Sequence, residues 1–433
     1  MISRYTDGRG LRRYPAGAAA ARAGDEMSGP ALLLLGFAVT GRPGTGSGLL
    51  ASLTVAGAAG GPLFGALLDR SRRPDRVLAW TLVAYALGIV AVQGAVGRLP
   101  MPALAAIALL AGLFNPAVTG GWTAQLPRVV TGRELERGSA LDALTFSAAS
   151  LAGPALAAGV AAGIGARAAV LTAAALVVLA VPSACSLSRY RPPAAGAGPR
   201  RVVLRRQMAA GFAVIAARRP LLRATVTSVV SYAGIGMLLV CCPLLGAQRL
   251  GDPARGALPI SAIAVASLTA NAIAARRPRR SRPGSTHRGY PRPDTWVFAS
   301  TLVIGVSMAA AALAPGWLTL AAVALAGVGE GPQLTALFAV RHRETPANLR
   351  GQVYTTAASL KIAGLAAGAA LAGPLAGWSV TGCLLIAAGT ELCAAAAYLA
   401  TGSTRPAQRE PAAAPPPGTA GTDAETVRPV RSG

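Results

Sequence analysis

The sequence predicts an all-α membrane protein whose twelve transmembrane helices form two six-helix bundles, and three observations carry that expectation. Twelve stretches are each long and apolar enough to cross a bilayer, which takes about 20 mostly apolar residues. Basic residues are dense in every second connection and sparse in the others. Short sequence patterns of the first half return in the second at nearly constant spacing.

Composition supports the first observation. Of 433 residues, 53% are hydrophobic and only 13% charged, against about a quarter charged in soluble domains. The 52 glycines and 32 prolines fit membrane helices, which tolerate both better than soluble helices do. The predicted spans are 16–41, 48–68, 77–97, 102–127, 138–163 and 166–188, then 221–246, 256–275, 295–314, 316–340, 351–375 and 379–401. Residues 1–15 and 402–433 are expected as tails, the latter with a composition of disorder, and residues 189–220 as a polar linker between bundles 16–188 and 221–401. The first span is unusual, because residues 27–41 alone are too short and the helix must reach back through Arg22, Asp25 and Glu26.

Charge gives the second observation. The net charge is +25, carried by arginine with Lys361 as the only lysine. A nucleic-acid binder would gather such charge on one face beside aromatic side chains, but here short arginine clusters alternate with apolar runs and aromatics are 5%. No nucleic-acid partner is expected. If both termini are cytoplasmic, cytoplasmic segments hold 34 basic residues and the opposite side 5, the bias expected of membrane-protein orientation. Arg22 and Lys361 are left within the membrane. A bacterial cytoplasmic membrane is the expected location.

The repeat gives the third. Ala23-Gly24-x-x-Met27 returns as Ala233-Gly234-x-x-Met237, Ala111-Gly112 as Ala326-Gly327, and Arg137-Gly138 as Arg350-Gly351. Parallel six-helix repeats place a substrate site between them, near the bilayer midplane. The five cysteines lie in apolar stretches and read as small buried hydrophobes. Neither they nor His287 and His342 form a ligand cluster, so no metal or cofactor is expected. No cleavable signal peptide is apparent.

Between the second and third spans, Gly61-Pro62-Leu63-Phe64-Gly65-Ala66-Leu67-Leu68-Asp69-Arg70-Ser71-Arg72-Arg73 resembles the cytoplasmic signature of the major facilitator superfamily, Gly-x-x-x-Asp-Arg-x-Gly-Arg-Arg. Gly65, Asp69, Arg70 and Arg73 match, and Arg72 replaces the usual glycine. Glycine permits close helix approach, as Gly61 would also. The carboxylate at a helix end suits nearby arginines and the positive N-terminus of a neighbouring helix. The resemblance implies that Asp69 is a gating residue. Ala152-Gly153-Pro154-x-x-Ala157-Ala158-Gly159 is similar to part of a signature of exporters in that superfamily. An ordinary packing kink at Gly153 and Pro154 is the competing reading.

Charges at bilayer depth usually mark function or a partner. Asp25 and Glu26 are candidates for proton coupling, with Arg22 at helical pairing distance; a static pair with Arg22 stays open. Glu330 lies in Gly329-Glu330-Gly331-Pro332, which suits a broken helix lining a cavity, and occupies the place of Asn115-Pro116 in the first half. Lys361 is placed to meet a substrate anion or to pair with Glu330. Asn115, Glu330 and Lys361 are thus the substrate-cavity candidates. Glu391, in the twelfth span, reads as interfacial or packing, and Asp142 as a surface or helix-start carboxylate. No catalytic constellation is present, so no enzyme is expected. The resemblance implies a monomeric, alternating-access secondary transporter working with a small-molecule substrate, protons and the lipid bilayer. It favours proton-coupled export of a drug or secondary metabolite. Import or facilitation of a sugar, amino acid or organic anion is the alternative, and a transport-inactive membrane sensor a second.

Overall fold

The computed structural model describes residues 8–130, 134–187, 204–251, 255, 257–276 and 293–400. The first half contains α1 (Gly8–Thr40), α2 (Pro43–Arg70), α3 (Pro74–Ala95), α4 (Met101–Gly112), a π-helical turn (Ala117–Gly121) and α5 (Leu126–Val129). It continues with α6 (Glu134–Ile164), α7 (Ala166–Leu179) and α8 (Val181–Ser186). The second half contains α9 (Leu204–Ala217), α10 (Arg219–Leu250), α11 (Ala257–Arg276), α12 (Pro293–Leu313), α13 (Leu318–Glu344), α14 (Arg350–Trp378) and α15 (Val380–Ala400).

Eleven membrane-length apolar segments occur among the described residues. The twelfth crossing is α1, whose 33 residues span about 50 Å at 1.5 Å per residue; Arg22, Asp25 and Glu26 make it less apolar than the rest. Prolines start α2, α3 and α10, where the missing N–H costs nothing. Large apolar side chains such as Leu110, Ile164, Leu313 and Trp378 stand exposed on the outside, as a helix bundle facing lipid requires.

Packing follows the repeat. α1 packs on α6 and α7 as α10 packs on α14 and α15; α2 packs on α4 as α11 on α13, and α3 on α7 as α12 on α15. The Ala-Gly echo lies in this pattern: a Cβ on Gly24 would stand 2.6 Å from the Ala173 carbonyl of α7, and one on Gly234 2.5 Å from Thr390 of α15. Each half has its own apolar core, one around Leu32, Leu82, Tyr85 and Val177 and one around Met237, Cys241, Met308 and Leu384. The halves meet along two related seams, α2 with α14 and α6 with α11.

Several expectations change. The first helix begins at Gly8, so residues 8–15 are helical and not tail; residues 1–7 and 401–433, and the disorder expected of the C-terminal tail, lie outside the described residues. The expected linker contains α9, packed on α2, α10 and α14, while 188–203 is not described. The break expected at Gly331-Pro332 does not occur, since α13 runs through Pro332. The interruption lies instead in the fourth crossing, where α4 ends at Gly112 and Leu113-Phe114 turn before Asn115-Pro116 and the π turn. α6 likewise continues through Pro154. Cys185 and Cys393 are exposed, while Cys241, Cys242 and Cys383 are buried; His287 lies outside the described residues.

Candidate functional site

Arg22 does not pair with Asp25. It reaches from α1 to α6, where Nη1 stands 2.9 Å from Asp142 Oδ1 and donates to the Asp142 carbonyl at 2.8 Å. Nη2 donates to Thr123 Oγ1 at 2.9 Å, Thr145 is a further partner, and the guanidinium lies 3.6 Å from the Phe146 ring centroid. Asp142 also accepts from the Tyr14 hydroxyl at 2.9 Å and from Thr123 Oγ1 at 2.8 Å. The pair is sealed, with exposures of 1% and 0%. Asp142 is therefore no surface carboxylate: it lies inside the span predicted at 138–163, and that position was the overlooked signal.

With Arg22 drawn away, Asp25 is held by neutral donors. Its Oδ1 accepts from Tyr85 at 2.7 Å and from Asn115 Nδ2 at 2.6 Å. Asn115 stands just after the turn that interrupts the fourth crossing. Ser28 stands 2.7 Å from the Tyr85 hydroxyl, and its own hydroxyl donates to the Asp25 carbonyl at 2.7 Å. Tyr85 carried no sequence signal beyond being a polar aromatic in mid-span.

Glu26 faces α6, where Ser150 donates to it at 3.4 Å. Gly153 makes this possible, because a Cβ there would lie 2.6 Å from the Glu26 side chain and 2.9 Å from the Met27 nitrogen. The Gly-Pro fragment thus works as a point of close helix approach.

From the second half, Tyr232 of α10 donates to Glu330 Oε1 at 3.0 Å. Lys361 does not pair with Glu330. Its Nζ lies 3.8 Å from the Tyr232 ring and 5.8 Å from the Phe146 ring, a cation–π setting. Phe146 therefore has Arg22 of one half on it and Lys361 of the other beside it. The charges of Asp25 in the first half and of Lys361 and Glu330 in the second all reach Glu26, and Asn115 is bonded to Asp25. Glu391 is fully buried between α15 and α10, not interfacial, and accepts from Ser231 at 2.9 Å.

The motif at residues 61–73 sits on the α2–α14 seam. Asp69 Oδ1 accepts from the Gly351 nitrogen and Oδ2 from the Gln352 nitrogen, both at 2.8 Å, so the carboxylate caps the N-terminus of α14. The expectation of a helix N-terminus holds; Arg70 and Arg73 are exposed, and the cations acting on Asp69 are Arg128 and Arg350. Gly61 and Gly65 let α14 approach: a Cβ on Gly61 would stand 2.2 Å from the Thr355 carbonyl, and one on Gly65 2.5 Å from the Gln352 Cα. Thr355 donates to the Gly61 carbonyl at 2.6 Å and Ser359 to the Gly57 carbonyl at 2.8 Å. On the α6–α11 seam, Ser147 and Ser267 hydroxyls are 2.9 Å apart and Asn271 Nδ2 donates to Ser147 at 2.8 Å. Both seams close the end that carries the arginine-rich connections.

A family model of the Major Facilitator Superfamily matches residues 16–286. The chain is 29% identical over 343 residues, 78% of its length and 81% of the relative's, to the MFS-type transporter y4rN of Sinorhizobium fredii (strain NBRC 101917 / NGR234). Among solved structures, the human organic anion transporter MFSD10 (TETRAN) is similar with a TM-score of 0.69 at 18% identity, covering 90% of this chain and 99% of that one. The E. coli fucose:proton symporter FucP is similar with a TM-score of 0.69 at 12% identity, covering 93% and 100%. A bacterial homologue of the iron transporter ferroportin in an outward-facing state follows with a TM-score of 0.68 at 14% identity, covering 91% and 99%.

Proposed function

The chain belongs to the Major Facilitator Superfamily, a multi-pass membrane transporter and not an enzyme, and from that premise we propose that it exports a small organic compound, a drug or secondary metabolite, by proton antiport. The observation that carries this reading is the separation of Arg22 from Asp25. Arg22 spends its charge on Asp142, so Asp25 keeps only neutral hydrogen-bond partners and is free to gain and lose a proton. Protonation of Asp25 then competes with substrate for the space between the halves, and alternating access delivers each to opposite sides. The bacterial relative and the arginine asymmetry support a bacterial cytoplasmic membrane with both termini inside. The protein works as a monomer of bundles 16–188 and 221–401.

Lys361 favours a second reading. Its ammonium has no acceptor among the described residues and stands in an aromatic setting, suited to a substrate carboxylate; uptake or facilitated passage of an organic anion follows, in keeping with the human neighbour's name.

Proteoliposomes bearing an imposed pH gradient, loaded in turn with cationic dyes and with aromatic carboxylates, test both. Gradient-driven movement of a dye against the proton flow supports export. Carboxylate movement with the gradient, or indifferent to it, supports the second reading, and no gradient dependence with any compound removes the first.

A further inference from the structure

Glu391 is a fully buried carboxyl on the last helix, away from the facing surfaces of the two halves. Its Oε1 accepts one hydrogen bond, from Ser231 at 2.9 Å, and its Oε2 has no partner. Among the described residues no cation answers it: Ser231 and Gly234 of α10 and Gly305 of α12 face it, and the ionisable group whose field reaches it is Glu330 of α13. An ionised carboxylate in that position would be a buried charge with one oxygen wholly unsolvated, costing several kcal/mol. A carboxylic acid, with a proton on the otherwise bare Oε2, removes that cost.

The slot is built for the group. A Cβ on Gly305 would lie 3.0 Å from the Glu391 Cβ, and one on Gly234 3.3 Å from its Oε1, so both helices give up side chains where Glu391 enters. Ser231, its one donor, accepts in turn from Gln333 Nε2 at 3.3 Å, and Gln333 also donates to Thr301 at 2.9 Å. The next residue, Tyr232, points the other way and holds Glu330 at 3.0 Å. One turn of α10 thus carries a carboxyl on each side.

We propose that Glu391 is a proton-binding site of the second half, holding its proton in this slot and coupled to Glu330 on the other side of the same turn of α10. The step is a proton transfer only: the Oε2–H bond breaks as a water molecule admitted to the slot takes the proton and leaves the carboxylate, and it re-forms when water returns the proton. The proposal rests on the proton-coupled reading above, but its test needs no transported substrate and so fails separately from it.

Infrared difference spectra of the purified full chain, recorded through pH steps, test it. The native protein is expected to show the carbonyl band of a neutral carboxylic acid that disappears reversibly as pH rises. Glu391→Gln is expected to lack that band, and Glu330→Gln to keep it with its midpoint moved. Should Glu391→Gln not fold, Ser231→Ala removes the one donor and is expected to shift the band's frequency. A Glu391→Gln spectrum that superimposes on the native one overturns the proposal. So does a band that ignores pH, a midpoint that Glu330→Gln leaves unmoved, or a frequency that Ser231→Ala leaves unchanged.

Discussion

The two halves repeat one another in packing but not in how they settle charge. In the first, the buried cation has a buried anion: Arg22 and Asp142 close on each other with Tyr14, Thr123 and Thr145 around them. Asp25 is likewise bonded, by Tyr85 and Asn115. In the second, Lys361 rests on an aromatic ring with no acceptor among the described residues, and Glu391 has an oxygen with no donor among them. A group satisfied by its own protein fixes geometry; a group left unsatisfied is available to a ligand or a proton. In the first half Arg22 and Asp142 form the frame, which leaves Asp25 to neutral partners and free to exchange a proton; in the second, Lys361 and Glu391 are the groups whose occupancy can change.

That comparison is most easily broken at Asp142. Asp142→Ala leaves Arg22 buried without its anion, a change worth about 3–5 kcal/mol of stability, read as a large fall in the melting temperature of the purified protein. A variant as stable as the native chain would end the view of that pair as the frame. Asp69→Asn is smaller. It keeps an acceptor for α14 but removes the charge on that helix terminus, worth about 1–2 kcal/mol, so the arginine-rich end is expected to open more often. Spin labels on exposed Arg73 and Arg276 report this as a longer-distance population that the native protein lacks. Lys361→Met has the least effect on stability, below about 1 kcal/mol, because only a cation–π contact is lost. Its effect is expected on substrate binding instead, and a melting temperature that falls as far as in Asp142→Ala would show that Lys361 is structural.

The seams differ in the same instructive way. The α2–α14 seam uses a carboxylate on a helix terminus and glycines that bring backbones together, whereas α6–α11 is held by the neutral Ser147, Ser267 and Asn271. Asp69 was legible in the sequence because its chemistry needs a particular residue at a particular helix end. Ser147 and Asn271 were not, because hydroxyls and amides scattered in apolar helices look alike until tertiary packing selects which of them face the partner. The crossings themselves were legible throughout, since hydropathy and arginine placement act at the scale of a whole helix. The error over Arg22 has a physical cause too. Helical spacing put Asp25 within reach, but a long guanidinium side chain reaches across to a neighbouring helix as readily as along its own, and the Asp142 carboxylate and carbonyl with two threonine hydroxyls hold it better than one shared acceptor. The helix break was expected at Gly331-Pro332 and falls instead at Leu113-Phe114 for a related reason: proline permits a break, and whether the helix continues depends on neighbours that re-satisfy the freed carbonyl.

Asp25 carries the central claim, and Asp25→Asn tests it most directly because asparagine keeps the size while mimicking the protonated form. With whichever compound the native protein moves under a pH gradient, the account predicts that gradient-driven transport is lost in this variant while exchange of that compound across the membrane without a gradient persists. Gradient-driven transport at the native rate would contradict it.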